Sequence, residues 1–142
     1  MPFISPSTNI LITKVIWKME QVEHYRDIIQ QEMERLAKRK PANKPEIVYQ
    51  FVMDAPRNQF ILLALGWHEE EYLHNWIFHV EIKDNKIWVH EDLTDIDIST
   101  LLQEKGIPTE DIILGYVAPH ERNNPSSSQN RSPLSLGYGL LF

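Results

Sequence analysis

The sequence predicts an α+β domain: an N-terminal helix, a four-stranded antiparallel meander sheet, a second helix and a short final extended segment. Three observations carry this. Apolar residues recur at three- and four-residue steps from Met19 onward, four strand-like runs follow with short connections, and a capped helical stretch closes on a glycine. The chain of 142 residues suits one domain with short tails.

From Met19 to about Lys40 the pattern is helical. Val22, Tyr25, Ile28, Ile29, Met33, Leu36 and Ala37 form its apolar stripe. Glu20, Glu23 and Asp27 lie early and Lys38, Arg39 and Lys40 late, which suits the helix dipole. Pro41 and Pro45 stop it. Residues 1–18 read as an N-terminal extension in which Asn9–Trp17 favours a strand, because Ile10, Ile12, Val15, Ile16 and Trp17 prefer extended backbone. Met19 offers a second start.

The first strand covers Glu46–Asp54, with Ala55–Asn58 as its turn. The second covers Phe60–Trp67 and is nearly all apolar, as expected of a central strand with helices on one face. The third covers Tyr72–Ile82. Strict alternation puts Trp76, Phe78, Val80 and Ile82 on one face and Asn75, His79 and Glu81 on the other. Asp84-Asn85 is a two-residue hairpin turn leading to a fourth strand, Lys86–His90. The short connections imply antiparallel neighbours. In the second helix Thr94 is the expected N-cap, with Asp97 three residues on, and Ile98, Leu101 and Leu102 face inward. Gly106 stops it and Pro108 follows. Ile112–Leu114 is a last extended run. Residues 19–122 form the domain, and 123–142, rich in Ser, Asn and Pro, read as a disordered tail.

Charge is uneven. Residues 1–65 carry net +2, residues 66–122 net −9, and the remainder +1. An acidic chain is a poor candidate for holding nucleic acid by charge, and the one basic cluster, Lys38, Arg39, Lys40 and Lys44, promises weak DNA binding at most. Cysteine is absent, so no thiol nucleophile or Cys-based zinc site exists. No apolar run approaches the ~20 residues of a membrane helix, and the start lacks the marks of a secretory signal. A cytoplasmic protein is expected.

The searches for chemistry return little. His74 and His79 are five apart and expected on opposite strand faces, His68 and His90 sit at strand ends, and no HExxH spacing occurs. There is no phosphate loop and no GxSxG elbow. Trp67, Trp76 and Trp88 could stack bases, but aromatics at strand spacing usually fill a core, and core packing is expected. Glu69-Glu70-Glu71 reads as a solvated turn that a basic partner could meet. No catalytic, metal or cofactor residues are assigned. A hydrolase using the His and Asp residues near strand ends is a remote alternative.

Several segments, in this order, carry a family resemblance. They are Glu23–Ile29, Leu65-Gly66-Trp67, Ile77–Ile82 with His79, Asp84–Val89 with Lys86 and Trp88, Asp92–Asp95, Gly106-Ile107-Pro108, and Glu110–Tyr116 with Asp111 and Gly115. Over roughly residues 20–122 they resemble the XisI-like family, the fdxN element excision controlling factors found mainly in cyanobacteria. Asn85 stands where the family has glycine, Leu93 and Asp95 depart from its "DGTE", and its usual ending is replaced after Arg122. The resemblance implies a small α+β fold and no established catalytic residues. It also implies a non-enzymatic regulatory or accessory role in programmed excision of a DNA element. The expected partner is an XisH-like protein of nuclease-like fold, or a site-specific recombinase. An antidote-like inhibitor of that nuclease-like partner is the alternative, and direct DNA contact is not expected.

Overall fold

The computed structural model describes residues 6–41, 43–94 and 96–122, with side chains from residue 10 onward. The expected disordered tail lies outside the described residues. A long helix, α1 (Pro6–Ala37), lies across a sheet of five strands: β1 (Val48–Asp54), β2 (Gln59–His68), β3 (Glu71–Lys83), β4 (Lys86–Asp92) and β5 (Ile112–Leu114). A short helix, α2 (Ile98–Glu104), links β4 to β5. The strand order is β1-β2-β3-β4-β5. The first four strands pair antiparallel, as expected, but the final extended run adds a fifth strand parallel to β4, making the sheet mixed. The crossover through α2 is what permits the parallel pairing.

Both helices pack on one face of this sheet. Tyr25, Ile29, Met33 and Leu36 of α1 meet Tyr49, Phe60, Leu62, Phe78, Val80, Ile87 and Val89 in a single core, with Ile98 and Leu102 of α2 at one side. Leu101 is half-buried against it. Glu32, buried in the helix layer, is met by Arg35 at 2.8 Å and by Lys105, just past α2, at 3.2 Å. Burial alone would raise its pKa, but those two cations outweigh it and hold the carboxyl below its ordinary value. The pair ties α2 to α1.

Several expectations change here. Asn9–Trp17 is helix, not strand: α1 starts at Pro6, a residue suited to a first helical position, and runs on through Met19 without a break. A helix already nucleated adds residues at little cost, which outweighs the mild strand preference of Ile and Val. The first turn of α1 therefore holds no acidic residue, and Glu20, Glu23 and Asp27 lie mid-helix. Asp97, not Thr94, caps α2, accepting the N–H groups of Ser99 and Thr100. Thr94 is buried in the preceding loop, where Asp92 accepts from its N–H, its hydroxyl and the Ile98 N–H. Gly106 ends α2 with φ +97°, as the sequence suggests. The Asp84-Asn85 turn has φ +54° and +60°, the pair of positive angles a type I′ turn requires.

Candidate functional site: the open face of the sheet

A bulge sets the character of the second sheet face. In the β2–β3 ladder Leu62 opposes Phe78 but Leu63 opposes Trp76, so Ile77 is an extra residue. The inserted residue reverses the alternation expected from sequence. Trp76 joins His79 and Glu81 on the face away from the helices, and Asn75 turns to the helix side opposite Ala64. His74 and His79, expected on opposite faces, share the open one for the same reason. A second bulge, between His79 and Val80, makes His90 the extra residue on β4.

The open face is apolar and aromatic at its rim and polar in its middle. Trp67 and Tyr72, opposed across the β2–β3 hairpin, hold their rings 5.4 Å apart and are each 54% exposed. Trp76 is 44% exposed, with Val48 and Val52 also exposed on β1. Trp88 is half-buried, with Lys83 and Arg122 each about 5 Å from its ring. Its buried indole Nε1 has no hydrogen-bond partner among the described residues. None of these three tryptophans fills the core, contrary to the expectation from strand spacing.

Between the tryptophans runs one hydrogen-bonded chain. Gln59 Nε2 donates to Glu81 Oε2 at 2.8 Å. Gln59 Oε1 must then accept, so His79 Nε2 donates to it at 2.7 Å. His90 Nε2 meets Glu81 Oε1 at 2.9 Å, and the two imidazole rings lie 4.8 Å apart. Burial, then the neighbouring His90, pushes the His79 pKa down, while the His90 hydrogen bond holds the Glu81 carboxyl below its usual range. Among the described residues the side-chain partners of the two imidazoles are thus an amide oxygen and a carboxylate. Among the described residues no three His, Asp or Glu side chains are grouped to hold a metal.

The remaining singled-out residues divide by place. Glu69, Glu70 and Glu71 are exposed at the β2–β3 turn, beside Trp67 and Tyr72. Gly66 is a packing residue: a Cβ there would come within 2.3 Å of the Glu46 carbonyl oxygen. Asp111 accepts from the Tyr25 hydroxyl and from Gln21, and Lys86 lies 3.7 Å away, joining α1, β4 and the start of β5. Burial, with that carboxylate beside it, pushes the Tyr25 pKa up to about 12. Gly115 donates its N–H to Val89, while Asp92, Gly106 and Pro108 serve the α2 loops, and Asp84 the hairpin turn. Lys38, Arg39 and Lys40 are exposed beyond α1 and take no part in the open face. The motif residues thus largely hold the frame, while Trp67, His79 and Trp88 reach the open face together with Trp76, which sequence reasoning assigned to the core, and with Tyr72 and Gln59, which it did not single out. The signal that could have found it is the surplus of apolar residues at Leu63, Trp76 and Ile77, which no single alternation satisfies.

The fold is shared with known proteins. The model of the family described as XisI protein matches residues 19–126. An XisI-like protein from Anabaena variabilis, solved by crystallography, superposes with a TM-score of 0.65 at 28% identity, covering 72% of this chain and 93% of that one. The fdxN element excision controlling factor XisI from the same organism gives a TM-score of 0.58 at 28% identity, over 72% and 98% of the two chains. Among the curated proteins none matches. With its helix-covered mixed sheet and a match spanning most of its length, the chain belongs to the XisI family.

Proposed function

We propose that this chain is a non-enzymatic regulator that acts by binding a partner protein through the acidic end of its open sheet face. The observation that carries the reading is the pairing of Trp67 and Tyr72, exposed and in ring contact, around a turn bearing Glu69, Glu70 and Glu71. Exposed aromatic anchors ringed by charge are the anatomy of a protein-binding hot spot. The acidic rim suits a basic partner and would speed its encounter. The partner we assign is an XisH-like protein of nuclease-like fold, consistent with a structural neighbour named as an excision controlling factor.

The test is co-expression with the XisH-like protein of the same genome, followed by a sizing column at moderate salt. Co-elution is expected. Trp67→Ala with Tyr72→Ala should abolish it, and Glu69→Lys, Glu70→Lys and Glu71→Lys together should weaken it more at low salt than at high. Separate elution of the unaltered proteins, or full co-elution of both variants, would overturn the reading.

A further inference from the structure

The outer side of β5 is an open sheet edge. Among the described residues β5 pairs with β4 alone, in parallel, at Ile87–Ile112, Trp88–Ile113 and Val89–Leu114. The main-chain groups of successive strand residues point alternately to the two sides. The Gly115 N–H donates to the Val89 carbonyl at 2.8 Å, so Gly115 and Ile113 face β4, and Ile112 and Leu114 turn their main-chain groups outward. Two of those outward groups are satisfied close by. The Ile112 N–H donates to the Thr109 carbonyl, and the Leu114 carbonyl accepts from the Val117 N–H at 3.1 Å and from Arg122 Nε at 3.3 Å. The Ile112 carbonyl and the Leu114 N–H are left without a partner among the described residues. They stand as one acceptor and one donor on either side of Ile113.

A groove of about 570 Å³ follows this edge, within the roughly 300–1,000 Å³ of ligand sites. Asp97 and Thr100 line it from the α2 side, Glu110 from the turn before β5, and all three β5 residues form its floor. Ile112 and Leu114 pack towards the helix-side core, and Ile113 lies by alternation on the other face. The groove therefore wraps the free edge of the strand instead of resting on one face. Free main-chain groups and charge together define what fits there. A neighbouring strand running parallel to β5 would meet the Ile112 carbonyl and the Leu114 N–H with the N–H and C=O of a single residue. Two carboxylates, Asp97 and Glu110, line the groove against one cation, Arg122, which lies over the Trp88 ring at 5.3 Å. Glu110 is exposed, and Lys86 gives its ammonium to the Glu110 main-chain carbonyl and to Asp111. Lys105, just past α2, is held by Glu32.

We infer that this groove is a second protein-binding site, which takes an extended, basic segment of a partner by strand addition to β5. The segment's main chain bonds the Ile112 carbonyl and the Leu114 N–H, and a lysine or arginine beside it meets Glu110. This is the division of labour of strand addition, in which main-chain bonds hold the segment and side-chain pockets select it. A three-residue edge offers only two such bonds, so the site suits a segment tethered to a partner that is also held elsewhere. The inference goes beyond the Trp67–Tyr72 reading and does not rest on it, because that surface is at the β2–β3 turn.

The experiment titrates a synthetic hexapeptide, acetyl-KVKVKV-amide, into the full chain labelled with nitrogen-15. Saturable amide shifts centred on Ile112–Gly115 and on α2 are expected. The same peptide N-methylated throughout keeps its charge but has no N–H to donate, and should bind at least about 10-fold more weakly. Acetyl-EVEVEV-amide should not bind. Glu110→Lys should weaken the unmethylated peptide about 10-fold with the melting temperature unchanged, because the side chain is exposed. Trp67→Ala with Tyr72→Ala should leave the peptide affinity unchanged, which separates this site from the proposed partner surface. Absence of shifts at β5, shifts centred on Glu69–Glu71, equal binding of the N-methylated or acidic peptide, or full affinity in Glu110→Lys would each overturn the inference.

Discussion

The two faces of the sheet are built from the same strands and do opposite work. On the helix side Phe60, Leu62, Phe78 and Val80 are fully buried and fixed by packing. On the open side Trp67, Tyr72 and Trp76 are of similar bulk and remain in water. The difference teaches that bulk and hydrophobicity alone do not mark a core residue in this chain. What decides is strand parity, and a single inserted residue at Ile77 sets it. A face left open with that much aromatic surface is one that a partner is expected to cover.

The sharpest way to break this contrast is to truncate one aromatic on each face of β3. Phe78→Ala should cost about 3–5 kcal/mol of stability by denaturant unfolding, as cavity creation in a packed core does. Trp76→Ala, two residues away but on the open face, should cost under about 1 kcal/mol. Equal losses would mean that the open face is a second core. Next in size is Gly66→Ala. The added methyl would meet the Glu46 carbonyl, and the residue holds φ +136°, so a loss of about 2–3 kcal/mol is expected, measured in the same way.

Smaller effects concern the polar middle of the open face. The His79 pKa is depressed in the folded chain, so the unfolded chain binds a proton there first as pH falls. Its contribution to stability is complete well above the ordinary histidine value and is lost as pH drops through about 6.5 and below. Thermal melts from pH 8 to 5 should show that decline, and His79→Gln should flatten it. Glu81 and Glu32, also held below their ordinary values, should add a separate loss at more acid pH, starting as pH falls into the usual carboxylate range and continuing below it. At the alkaline end the buried Tyr25 and Tyr49 hydroxyls, both raised to about 12, should ionise after the other tyrosines in an ultraviolet titration.

Local chemistry was readable wherever a residue answers to its immediate neighbours. The Asp84-Asn85 turn, the stop at Gly106 and the helical stripe from Val22 to Leu36 were legible, because turn angles and apolar periodicity are properties of a few adjacent residues. The family motif was legible too, and the structure gives most of its positions a framing role: Gly66 against Glu46, Asp111 under Tyr25, Asp92 around Thr94.

The rest depended on partners far along the chain. Whether Ile112–Leu114 pairs, and in which direction, follows from the crossover through α2, which no local pattern encodes. Asn9–Trp17 is helical because a helix already begun continues more easily than a lone strand forms without a neighbour. The bulge at Ile77 exists because Phe78 and Leu62 claim the core register from one end of the hairpin, and Trp67 and Tyr72 the open face from the other. Sequence by itself determined the helix from Met19 onward, the first four strands and their turns, and most of the helix-side core of this protein. Tertiary structure alone decided the sheet's second face, because side-chain parity is fixed by long-range strand register and one extra residue inverts it.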